Sequence, residues 1–110
     1  MTSDSARPRD PIPSDLVQDD QSFADLVQEF VDGLGTRLAD METAFDEGDL
    51  GELKVQAHRL KGAGGGHGYA ILTELSAHLE QLTLAADLDG IRRDIEELKS
   101  VISRIVVSVD

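Results

Sequence analysis

Along most of the chain apolar residues return every three or four positions, the period of a helix with one buried face. The longest stripe is Phe23, Leu26, Val27, Phe30, Val31, Leu34, Leu38, Met41 and Phe45. It predicts one helix from near Ser22 to Glu47-Gly48, kinked gently at Gly33 and Gly35, where each glycine costs about 1 kcal/mol against alanine. Asp49, with Glu52 three residues on, gives the second helix a box-like start. Its stripe is Leu50, Leu53, Ala57 and Leu60, and the run Gly64-Gly65-Gly66 is expected to stop it. The third helix begins at Tyr69 and turns Leu72, Leu75, Leu79 and Leu82 inward. The fourth follows Asp87-Leu88-Asp89-Gly90 and carries Ile91, Ile95, Leu98, Ile102, Ile105 and Val109. Because no partner strand is legible, the apolar ending is expected to continue that helix. Upstream, Ser14 behind Pro13 caps one or two helical turns. Residues 1–12 are polar and hold Pro8 and Pro11, so they are expected to form a disordered tail, leaving 13–110 as the domain.

Connections of a few residues force neighbouring helices antiparallel. The expected fold class is therefore all-α, an up-down-up-down four-helix bundle with a short extra N-terminal helix. Composition agrees with this. Aromatics make up only 4 % of the 110 residues, so the core must be aliphatic, and few runs are rich in β-branched and aromatic residues. With no cysteine, disulfides and thiolate metal sites are excluded. There is no apolar run of membrane-spanning length and no signal-peptide core, which leads to the expectation of a cytoplasmic location.

The formal net charge of −12 argues against nucleic acid and against anionic membranes as partners. Most of that charge reads as a solvated surface. The bases are less evenly spread: Lys54, Arg59 and Lys61 crowd around His58. At about 100° per residue, His58 points roughly 130° away from the stripe of its helix, so it is expected to be exposed. Lys61 lies one turn on, able to pair with an anion on the imidazole. Gly62, at the next stacked position, leaves the space beside the ring open, and Val55 offers an apolar contact one turn before.

Other chemistries fit less well. The glycine run follows a lysine and a helix, whereas a phosphate-binding loop needs the lysine after the glycines and a strand before them. No nucleotide or kinase motif is present. His58, His67 and His78 lack metal-binding spacing and sit on different faces, so a metal-binding bundle is improbable. No cofactor of its own is expected.

The run Ala57-His58-x-Leu60-Lys61-Gly62-Ala63-Gly64, followed by Gly68, Leu72, Leu75 and Leu79-Glu80, resembles the histidine-containing phosphotransfer (HPt) domain of bacterial multistep phosphorelays. The likeness covers roughly residues 13 to 109. It implies that His58 is the phosphoacceptor, Lys61 the cation that neutralises phosphate charge, and Gly62 the residue that keeps the ring accessible. Glu80 falls where such domains place a Glu or Gln that orients the imidazole. The partners implied are response-regulator receiver domains and a hybrid sensor histidine kinase, with Mg²⁺ held by the receiver. Docking is expected around Val55 and Arg59, and the chain is expected to be a monomer. His67, in the glycine-rich stretch, is a weaker second candidate acceptor. The competing reading is a non-phosphorylated interaction module built on the same bundle.

Overall fold

The computed structural model describes residues 10–109. Its helices are α1 (Asp15–Asp19), α2 (Ala24–Asp32), α3 (Leu34–Asp46), α4 (Leu50–Gly66), α5 (Ala70–Ala85) and α6 (Leu88–Ile102), with a 3₁₀ turn at Gln21–Phe23 between the first two. Four of them close a bundle in which α4 packs on α3 and α5, and α6 packs on α5 and α3. The fold is the all-α bundle that the periodicity implied. Connections of two or three residues join α3 to α4, α4 to α5 and α5 to α6, which makes these neighbours antiparallel.

Side-chain caps start the helices where the sequence offers them. Ser14 accepts from the Val17 N–H, Asp49 from the Glu52 N–H and Asp87 from the Gly90 N–H. The core is aliphatic: Leu53, Ala57 and Leu60 of α4 meet Leu72 and Leu79 of α5 and Ile91, Ile95 and Leu98 of α6. Each fully buried leucine contributes roughly 2 kcal/mol of transfer free energy.

Four details differ from the periodic reading. The single helix expected from Ser22 to Glu47 is divided at Gly33, whose N–H donates to both Glu29 O (3.3 Å) and Phe30 O (3.1 Å). That shared, tightened turn separates α2 from α3. Phe23, which ends the 3₁₀ turn, and Leu26 of α2 are exposed although they belong to the apolar stripe.

The second difference concerns the glycine run, which does not stop α4. Gly64, Gly65 and Gly66 are helical, and His67 is the capping residue. The chain turns one residue later at Gly68, whose φ of +92° lies in the region that favours glycine. Packing requires two of the three, since a Cβ on Gly66 would meet nothing within 4 Å. A Cβ on Gly64 would stand 2.6 Å from the Leu72 Cβ, and one on Gly65 would stand 2.8 Å from the Thr73 Oγ1. These glycines let α5 return close against α4.

Third, the fourth helix ends at Ile102 rather than continuing to Val109, which is exposed. Ile105 instead forms a parallel bridge with Ile12: the Ile12 N–H donates to Arg104 O (2.8 Å) and the Val106 N–H to Ile12 O (3.0 Å). Fourth, the partner segment therefore comes from the stretch expected to be a tail. Residues 10–12 of that stretch are tied to the bundle, while residues 1–9 lie outside the described residues. Tyr69 secures the same corner by donating its hydroxyl to Val106 O (2.7 Å).

Candidate functional site

His58 sits midway along α4, about two turns from its start and between the buried residues Ala57 and Leu60, and its side chain is 66 % exposed. Opposite it, α5 brings back Glu80, which is only 14 % exposed. The pairing follows from the short α4–α5 turn, which runs the two helices antiparallel at close range. Glu80 binds two residues of α4 at once. Its Oε1 accepts from Lys61 Nζ at 2.9 Å, and its Oε2 lies 3.2 Å from His58 Nδ1.

Charge decides the protonation pattern at this triad. The Lys61 hydrogen bond, assisted by the Lys61 charge and by His58, holds the Glu80 carboxyl below its ordinary value of 4.5 despite its partial burial. An ionised carboxylate can only accept hydrogen bonds, so His58 Nδ1 is the donor. The neutral ring then carries its lone pair on Nε2. Among the described residues nothing is hydrogen-bonded to Nε2.

The space around the ring is open. A Cβ on Gly62 would meet nothing within 4 Å. Lys54, Val55, His58, Arg59 and Glu80 line a mostly apolar, open depression of about 380 Å³. Val55 is 40 % exposed. Three cations, Lys54, Arg59 and Lys61, thus gather on one stretch of an otherwise acidic molecule. A larger groove, about 430 Å³, lies between α3 and α6 and contains no histidine.

The structure therefore brings together His58, Lys61, Glu80, Gly62, Val55 and Arg59. Lys54, which the sequence also gathers near His58, shares the depression. Two features of the neighbourhood were not read from the sequence. Lys61 rests on Glu80 rather than standing free, a contact hinted at by a carboxylate that must face a whole turn of α4. Thr73 of α5 donates its hydroxyl to the Lys61 carbonyl (2.7 Å), a pairing with no sequence signal.

The other two histidines are elsewhere. His67 is engaged in packing: its ring stacks on Phe30 with centroids 4.3 Å apart and planes within 5°, and its Nδ1 is 2.7 Å from Ala63 O. His78 leaves α5 on a different side and pairs with Asp94 of α6, Nδ1 to Oδ2, at 2.5 Å. Among the described residues no group of three or more His, Asp or Glu side chains is arranged to hold a metal ion, and no helix is long and apolar enough to cross a membrane.

Fold and site define a helical bundle that presents an exposed, carboxylate-bound histidine beside a lysine. The model of the Hpt domain family matches residues 25–107, and the chain belongs to that family. Hpt domains serve phosphotransfer in phosphorelays and interact with receiver domains of two-component systems. Comparison with curated proteins and with solved structures gave no match.

Proposed function

We propose that this chain is a phosphoryl carrier that accepts the group from a receiver-domain aspartate on His58 Nε2 and passes it to another receiver aspartate. The observation that carries the reading is the double engagement of Glu80, which fixes Nδ1 as the proton-bearing nitrogen and leaves Nε2 as the nucleophile.

In the forward step the Nε2 lone pair attacks phosphorus in line. The P–N bond forms as the P–O bond to the aspartate breaks, and the electron pair returns to that carboxylate. The ring gains positive charge, which the Glu80 carboxylate faces through Nδ1–H. Lys61, one turn along α4, offsets the charge of about −2 on the incoming phosphoryl group. Mg²⁺ bound by the receiver stabilises the transferring oxygens. Gly62 leaves room for the receiver's loops, and the apolar wall around Val55, with Arg59, supplies the docking contact. The reverse step, toward a second receiver, uses the same atoms. A hybrid sensor kinase is the source of the phosphoryl group, and the carrier acts as a cytoplasmic monomer.

The test mixes the domain with a phosphorylated receiver and Mg²⁺. An acid-labile, base-stable label is expected on the domain and is expected to vanish in His58→Gln. A label of undiminished intensity in that variant would overturn the assignment. A wild-type domain that docks on the receiver without taking label would favour the non-phosphorylated interaction module.

A further inference from the structure

Lys61 is gripped at both ends by α5. Its ammonium donates to Glu80 Oε1 at 2.9 Å, and its backbone carbonyl receives the Thr73 hydroxyl at 2.7 Å. Thr73 and Glu80 are seven residues apart on α5, so they lie on one face, two turns from each other. Each fastens a different part of the same α4 residue.

The place where this grip falls is informative. From Gly62 to Gly66 four of five residues are glycines, the weakest helix-forming stretch of α4. Lys61 is the last residue before it. A helix about to enter such a stretch has little of its own to fix the direction of its final turns. Thr73 supplies an anchor from outside at that junction. Gly65 makes the anchor possible, because a Cβ there would stand 2.8 Å from the Thr73 Oγ1. The hydroxyl is also not needed to satisfy the carbonyl, which α-helical geometry already provides with the Gly65 N–H. Its contribution is positional.

We infer that Thr73 is a positioning residue for the histidine site. By pinning the Lys61 carbonyl it sets the register of α4 on α5, so that one Glu80 carboxylate can reach both Lys61 Nζ and His58 Nδ1. This inference rests on the proposed function only for its kinetic consequence. The effect on the imidazole follows from the geometry alone.

The test compares Thr73→Val, which keeps the side-chain shape and removes the hydroxyl, with Thr73→Ser, which keeps the hydroxyl. Imidazole ¹⁵N shifts of His58, assigned by their loss in His58→Gln, report how far Nδ1 holds the proton. Thr73→Val is expected to move both ring nitrogens toward the averaged values of a free histidine, and Thr73→Ser to restore the wild-type pattern. Phosphoryl transfer should slow about fivefold in Thr73→Val, the rate equivalent of one neutral hydrogen bond. Unchanged shifts in Thr73→Val overturn the inference. So does loss of the pattern in Thr73→Ser as well, which would mark a packing role. A wild-type domain that takes no phosphoryl group overturns the proposed function and leaves the imidazole readout to decide on Thr73.

Discussion

The molecule carries two histidine–carboxylate pairs that look alike at the first level of description. His58 of α4 meets Glu80 of α5, and His78 of α5 meets Asp94 of α6, each through Nδ1. The rings are 66 % and 63 % exposed, the carboxylates 14 % and 15 %. An oriented, accessible imidazole is therefore not what distinguishes a candidate phosphoacceptor here. The surroundings are. Glu80 also holds Lys61, whereas among the described residues no lysine or arginine is paired with Asp94. One turn beyond His58 stands Gly62 with open space, and one turn beyond His78 stands Leu82. The His58 ring borders a depression that also holds Lys54 and Arg59. The His78 pair ties two helices together at the surface, where such a pair contributes about 0–1 kcal/mol. Orientation is shared by both pairs, but a lysine on the same carboxylate and a glycine one turn on are found only at the first.

Breaking each pair should separate them sharply. His58→Gln should reduce transfer from a phosphorylated receiver by roughly a thousandfold or more, as removal of a nucleophile does. His78→Gln should leave the same rate within about twofold. Equal losses in the two variants would erase the distinction.

Gly62→Leu gives the first site the neighbour that the second has. Because a Cβ at Gly62 meets nothing, the variant should fold and gain about 0.5–1 kcal/mol from better helix propensity, read by denaturant unfolding. Transfer should nonetheless fall by roughly tenfold or more as the approach to Nε2 is crowded. A variant that is stabilised and transfers at the wild-type rate would show that open space is not needed. Gly64→Ala should do the reverse to stability, losing about 1–3 kcal/mol because its Cβ meets Leu72.

Glu80→Gln and Asp94→Asn remove charge from each carboxylate while keeping its shape. The first should slow transfer by about tenfold, within the range of a lost charge-assisted hydrogen bond, and the second should leave it unchanged. The smallest effect is on titration. Glu80 is held below 4.5, chiefly by its hydrogen bond to Lys61. Its lowered value means that its stabilising contribution is complete above the ordinary carboxylate range and fades as the pH falls through that lower value. A ¹³C titration of the Glu80 carboxyl should therefore have its midpoint below 4.5, and Lys61→Met should raise it. A midpoint that does not move would contradict the role assigned to Lys61.

Much of this was legible in the residues, for reasons tied to local periodicity. The stripes of α4, α5 and α6 set which faces are buried, and the same geometry placed His58 outside the core. The return of Glu80 was an expectation drawn from the resemblance of Leu79-Glu80 to the family's pattern, and the antiparallel run of α5 along α4 brings it there. What escaped the sequence depends on partners distant along the chain. Gly64 and Gly65 read as a helix stop because glycine is a poor helix former; their reason is the proximity of Leu72 and Thr73. Ile105 read as helix because its partner Ile12 lies across the whole domain and inside a proline-flanked stretch. His67 read as a loop histidine, although it stacks on Phe30, thirty-seven positions earlier in the chain. In the site itself, the grip of Glu80 and Thr73 on Lys61 needed the helix register, which no single-helix pattern contains.

The central claim is that Glu80 commits His58 to nucleophilic attack through one nitrogen. The most direct measurement is the ³¹P–¹⁵N coupling pattern of the phosphorylated, histidine-labelled domain. A single phosphoramidate is expected on Nε2 of His58, with Nδ1 still bearing a proton. Phosphorus bonded to Nδ1 of His58, or to either nitrogen of His67 or His78, would contradict it.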